Sequence, residues 1–211
     1  RRGFRGNREG LIDILHRLQS DYHTKPHKLI QEAQNFSQTM IRTPYQPTSG
    51  LPNIDLSTQT SRLLVQRLDK IHGGFARAPK FPRPANFALL LDTYAKTSNS
   101  DFRNPITLTL RKMGRGGIYD HVGGGFHRYA TDTQWLIPHF EKMLYDQAQL
   151  IETLADLYLA TKNPEFRDKL VDICDYLLRE MQAPNGGYYS ATDADSMTPS
   201  GHREEGYFFT W

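Results

Sequence analysis

Residues 85–117, ANFALLLDTYAKTSNSDFRNPITLTLRKMGRGG, decide how the rest of this chain is read. Phe87, Leu90, Leu91 and Tyr94 recur at steps of three and four, the spacing that places side chains on one face of a helix, and predict a helix over about 85–97. Ile106, Leu110 and Met113 repeat the pattern over about 104–114. A short polar stretch between them allows only a tight reversal. Gly114-Arg-Gly-Gly117 then stops the second helix, because glycine supplies the backbone freedom that helix ends use. The unit is helix, short turn, helix, glycine-rich loop.

The unit recurs in both directions. Upstream, a helix of about 57–72 carries Leu64, Leu68 and Ile71 on its apolar face and ends at Gly73-Gly74; residues 75–84 hold three prolines and read as an irregular loop. Downstream, Pro138 reads as the first residue of a helix reaching about 161, with Phe140, Leu144, Ile151, Ala155 and Tyr158 on one face. Asn163-Pro164 separates it from a helix of about 165–182 bearing Phe166, Leu170, Ile173, Leu177 and Met181, which stops before Pro184-Asn-Gly-Gly187. Gly73-Gly-Phe75, Gly116-Gly-Ile118 and Gly186-Gly-Tyr188 mark the recurrence as a degenerate repeat. The predicted class is all-α: helical hairpins stacked side by side, with short β-hairpins in the long loops. One such hairpin is expected where 126–129 could pair with 134–137, and 188–191 is strand-like. If the hairpins alternate direction, every long loop falls at one end of the bundle, and polar groups distant in sequence share one cleft.

Further helices are read at 11–22 (Leu11, Leu15, Leu18, Tyr22) and after Pro26 (Leu29, Ala33, Phe36, Met40). Residues 43–52 contain three prolines and a glycine, so 43–56 is a linker, dividing the chain into 1–42, 43–56 and 57–211. Residues 206–211 look like a strand stopped in mid-course, and the chain is expected to be part of a longer protein. Among 211 residues the apolar fraction is 38%, the charged fraction 23% and the formal charge +3; basic residues are scattered, so no nucleic-acid partner is expected. No apolar run is long enough for a membrane span. The single Cys174 lies in a helical apolar pattern, which excludes an internal disulfide and fits a reducing compartment, the cytoplasm.

Three constellations carry chemistry. Residues 116–132 combine the glycine run 123–125 with Asp120, His121, His127, Arg128, Tyr129 and Asp132, and read as a ligand-facing loop rather than a tight bend under an aromatic. Trp135 to Asp146 place His139 and Glu141 in the first turn of the helix opened by Pro138, where amide groups favour a carboxylate; a carboxylate beside a histidine is a general acid–base arrangement, while Glu141 reads equally as a helix-start carboxylate and His139 somewhat more readily as a structural histidine. Glu141 and Tyr145 would share a face, and Lys142 reads as a solvated charge. Asp193 and Asp195, with Glu204 and Glu205 after them, either divide into acid and base, bind hydroxyls, or form an Asx-rich turn in solvent; Met197 and Thr198 exclude a calcium loop. Histidines 121, 127 and 139 show no recognisable ligand spacing, and neither metal nor cofactor is expected.

The stretches Gly73-Gly-Phe-Ala-Arg-Ala-Pro-Lys-Phe-Pro82, 116–129, Pro138-His-Phe-Glu-Lys-Met-Leu-Tyr-Asp146, Asp193-Ala-Asp-Ser196 and Glu205-Gly206 resemble the YyaL-type, spermatogenesis-associated, thioredoxin-fused family over about 57–211. The resemblance implies that 1–42 are the last helices of a thioredoxin-like domain with its connector. It implies that 57–211 are the first half of an (α/α)6 toroid like those of glycoside hydrolases and sugar epimerases. Glu141, Asp193, Asp195 and His139 would then be the acid–base groups for hydrolysing or isomerising a sugar. Asp120, His121, His127, Arg128, Tyr129, Trp135, Tyr145 and Asp146 would bind it, Tyr129 and Trp135 by stacking. The alternative is a non-catalytic binding module serving the thioredoxin-like domain.

Overall fold

A computed structural model describes residues 10–41, 55–75 and 77–210. The chain divides into two units, Arg1–Leu51 and Pro52–Trp211. The first holds helices α1 (Leu11–Thr24) and α2 (Pro26–Ile41), packed on each other with Leu11, Leu15, Tyr22, Phe36 and Met40 exposed. Most of the linker predicted at 43–56 lies outside the described residues.

The second unit contains α3 (Leu56–Gln66), α4 (Pro84–Thr97), α5 (Ser100–Arg115), α6 (Leu144–Thr161) and α7 (Pro164–Tyr176), the last continued by a π-helical turn, Leu177–Met181. α4 packs against α5, α6 against α7, and α4 against α6, while α3 covers α4 and α5. The core joins Phe87 and Leu90 of α4, Phe102, Ile106, Leu110 and Met113 of α5, Leu150, Leu154 and Leu157 of α6, and Phe166 and Ile173 of α7. Each such side chain contributes about 1.5–3 kcal/mol on burial.

Two nearly identical turns set the hairpins. Tyr94-Ala-Lys-Thr-Ser-Asn99 and Tyr158-Leu-Ala-Thr-Lys-Asn163 each end a helix on a left-handed residue, Ser98 or Lys162, both at φ 54°. Asn99 then accepts from the Asp101 amide at 2.9 Å, and Asn163 from the Glu165 amide at 3.0 Å. These caps satisfy amides that a helix start leaves unpaired. Phe102-Arg103 and Phe166-Arg167 extend the correspondence, each phenylalanine buried. Asn99 explains why α5 begins earlier than 104, which places Pro105 inside the helix.

Both short turns lie at one end of the bundle, so the loops 67–83, 116–143 and 182–210 gather at the other. There they tie together through short antiparallel pairs. β1 (Tyr129–Ala130) pairs with β2 (Pro138–His139), β3 (Lys142–Met143) with β4 (Ala191–Thr192), and β5 (Asp195–Met197) with β6 (Arg203–Glu205). Lys80 bridges to Ala130.

The structure corrects several expectations. α6 begins at Leu144, not Pro138: residues 138–143 make strand pairs with 129–130 and 191–192, which outcompete helix formation. His139 and Glu141 are therefore not in a helix turn, and the core face of α6 runs through Gln147, Leu150, Leu154 and Leu157. The hairpin predicted from 126–129 and 134–137 forms instead between 129–130 and 138–139, its loop held by Asp132, whose carboxylate accepts from the amides of Gln134, Leu136 and Ile137. Ile71 is exposed, because α3 ends at Gln66. Residues Tyr207–Phe209 form a 3-10 turn rather than a strand, entered through Gly206 at φ 75°; a Cβ there would lie 2.6 Å from the Phe140 ring.

Candidate functional site

The glycine run of the 116–143 loop is pinned from beneath. Asp120 accepts from the amides of Val122 (3.0 Å) and Gly123 (2.8 Å) and from Lys142 Nζ (2.7 Å). Burial opposes its ionisation, but the Lys142 ammonium and those amides outweigh it and hold the carboxyl below the usual carboxylate range. Lys142 is buried, not solvated as its sequence context suggests: it also donates to the Gly124 carbonyl at 2.7 Å and sits 4.3 Å from the centre of the Tyr176 ring. Gly125 packs so closely on that ring that a Cβ would lie 2.8 Å from it. Gln147 clasps both backbone groups of Phe126, at 2.9 and 2.6 Å. Asp120 is thus a structural anchor rather than the ligand contact expected of it.

On this platform β1 and β2 present the polar cluster. Tyr129 and His139 face each other in register, their rings stacked at 4.9 Å, with Phe81 on Tyr129 at 4.6 Å. His139 Nε2 is 2.7 Å from Glu141 Oε1, and its Nδ1 is 2.6 Å from Glu205 Oε1. The doubly protonated ring makes both bonds; the neutral ring makes only one, since carboxylates only accept. Arg128 is joined to Glu141 twice, by its amide to the Glu141 carbonyl at 2.9 Å and by Nη1 to the carboxylate at 3.2 and 3.4 Å. Tyr145, ahead of Glu141, favours the charged guanidinium.

Beside this pair, in the first turn of α6, Asp146 is buried with Oδ2 lacking a hydrogen-bond partner. Burial first, then the Glu141 charge, push its carboxyl up to about 6 against the pull of Arg128.

β3–β4 pairing brings the third constellation alongside. His139, Glu141, Thr192, Asp193 and Asp195 line one open depression of about 420 Å³. Asp193 accepts from the Asp195 amide at 3.1 Å and pairs with Arg203, an exposed turn whose amide and guanidinium hold the carboxyl below its ordinary value.

No family model matches the chain. Against spermatogenesis-associated protein 20 of Homo sapiens it is 35% identical over 214 residues, covering 97% of this chain and 27% of that protein. The Rattus norvegicus protein of the same name is 36% identical over 213 residues, with the same coverage of 97% and 27%. Spermatogenesis-associated protein 20 is a homologue of this chain. The chain spans just over a quarter of the length of the curated relatives it matches, at 27%.

Among solved structures it resembles cellobiose 2-epimerase from Spirochaeta thermophila: TM-score 0.57, 19% identity, 67% of this chain and 42% of that one. The cellobiose 2-epimerase from Bacillus thermoamylovorans gives TM-score 0.58 at 13% identity, over 71% and 44%. At such identities the likeness establishes the fold, a six-hairpin α/α toroid of which this chain carries a part.

The other expected site residues are dispersed. Trp135 offers no stacking face: it is fully buried, donates Nε1 to the His72 carbonyl at 2.8 Å and lies under Lys80. His121 is exposed beside the Gly116 carbonyl at 3.0 Å. His127 is buried edge-on to Phe140 and Phe209, and burial, reinforced by Lys142, pushes it down to about 4, so it stays neutral near pH 7. Among the described residues no group of three or more histidine, cysteine and carboxylate side chains is arranged to hold a metal, and no helix is long and apolar enough to cross a membrane. Sequence reasoning missed Glu205 as a partner of His139; the two are 66 positions apart and nothing local links them.

Proposed function

We propose that this region is a carbohydrate-active site in which His139 and Glu141 exchange protons with a sugar, by isomerisation at a carbon beside a carbonyl or by glycosidic hydrolysis. The observation that carries the reading is His139 held between Glu141 and Glu205 at the mouth of the depression lined by Asp193 and Asp195. A ring fixed at both nitrogens is oriented before substrate arrives, and a proton passed to substrate costs it one of the two bonds, which then reforms on the return transfer. Asp193 and Asp195 bind hydroxyls from the exposed side. Support also comes from the solved structures sharing the fold, which are sugar epimerases by name.

In the full-length protein, Glu141→Gln should lower sugar turnover by about a hundredfold or more; turnover equal to wild type would overturn the assignment. A second reading, a binding module attached to a thioredoxin-like domain, is favoured by the openness of the depression and by Tyr129, whose ring is already stacked between His139 and Phe81. It predicts that wild type binds sugar without converting it, and that Glu141→Gln changes binding alone.

A further inference from the structure

Two atoms in this cluster are buried without partners and are complementary. Arg128 Nε is a donor and Asp146 Oδ2 an acceptor, and both are shut from solvent. Asp146 is 8% exposed and feels the charges of both Arg128 and Glu141. Buried polar groups are almost always paired, and leaving one unpaired is costly, so two such atoms that the chain itself does not satisfy point to a partner from outside the chain. The neutral group whose chemistry answers both kinds of atom is a hydroxyl, which accepts from N–H through oxygen and donates its proton to a carboxylate. A phosphate or carboxylate group would meet the arginine but be repelled by Asp146. The surroundings act in the same direction. Glu141, Asp193 and Asp195 line the depression and Glu205 bonds the His139 that lines it, while Arg128 and Arg203 pair with Glu141 and Asp193.

We propose that Asp146 and Arg128 are the specificity-determining pair of this site, taking up one hydroxyl of an uncharged sugar while the surrounding carboxylates turn away sugars that carry phosphate or carboxylate. The inference rests on the carbohydrate reading above and narrows its substrate class. Sites built to bond a hydroxyl discriminate strongly, because a ligand without one leaves their polar groups unpaired. Entry requires Arg128, whose side chain is 38% exposed, to shift from its contacts with Glu141.

The test is calorimetric titration of the full-length protein with glucose, mannose and cellobiose, and with glucose 6-phosphate and glucuronate. A neutral sugar should bind at least about tenfold more tightly than its anionic counterpart. Asp146→Asn, nearly isosteric, and Arg128→Lys, which keeps the charge but loses Nε, should each weaken neutral-sugar binding by about tenfold, with circular dichroism unchanged. Anionic sugars binding as tightly as neutral ones would overturn the pair and leave the carbohydrate reading standing, and so would folded variants that bind like wild type. Absence of binding by all five sugars would overturn both. The wild-type comparison stands alone if a variant fails to fold.

Discussion

Lys80 and Lys142 are built alike, and Arg128 is built differently. Each lysine is buried, and each ammonium meets a carboxylate, a backbone carbonyl and an aromatic face: Asp69, Thr133 and Trp135 for Lys80, and Asp120, Gly124 and Tyr176 for Lys142. Three donors find three acceptors, so nothing is left for a ligand. Arg128 and Asp146, a few residues away, keep an unpaired donor and an unpaired acceptor. Buried charge that is fully answered holds loops in place, while buried charge that is partly answered marks where something else belongs.

The largest effect that could break this contrast comes from the lysines. Lys142→Met strands Asp120, a buried carboxylate, and should cost about 3–5 kcal/mol in urea unfolding. Lys80→Met should cost less, because Asp69 remains 27% exposed. A Lys142→Met loss under about 1 kcal/mol would remove the distinction between scaffold and site.

Asp146 should behave in the opposite sense. Its carboxyl is raised to about 6, so its protonated form stabilises the fold fully below about pH 4, and that contribution is lost as pH rises through 6. Asp146→Asn does not titrate and should raise stability by roughly 2 kcal/mol at pH 7 relative to pH 4, read from unfolding midpoints at the two values. His127 gives a similar or smaller effect. Lowered to about 4, it contributes stability above pH 6.5 that is lost as pH falls toward 4. His127→Phe should flatten that acid limb. Smallest of all, Arg203→Ala should leave the thermal midpoint unmoved, since its pair with Asp193 is exposed.

How much of this was legible in sequence depends on the range of the interactions. α4, α5 and α7 follow from periodicity because their burial is local and regular: Phe87, Ile106 and Ile173 sit where the pattern puts them. Asn99 and Asn163 were also readable, and the recurrence of Tyr-x-x-Thr-x-Asn before each would have placed both caps. The start of α6 was not. Pro138 carries a helix-start signal, and strands of two residues have no period; tertiary pairing alone decides them. The same holds at the site. The sequence placed Glu141, His139, Asp193 and Asp195 as candidates by residue type, but Glu205, the partner of His139, comes from another loop, and Arg203 reaches Asp193 through the β5–β6 pairing. Lys142 reads as a solvated charge until Asp120 and Tyr176 close over it.

The pairing of β3 with β4 closes a ring in the chain: it leaves Met143, runs up α6, turns at Lys162-Asn163, descends α7 and returns at Ala191. α6 has 18 residues, which puts that far bend about 27 Å from the clasp. A peptide tag or small folded module spliced into the bend would therefore hang from the distal tip of a closed handle, reporting on the protein without disturbing the groups at its base.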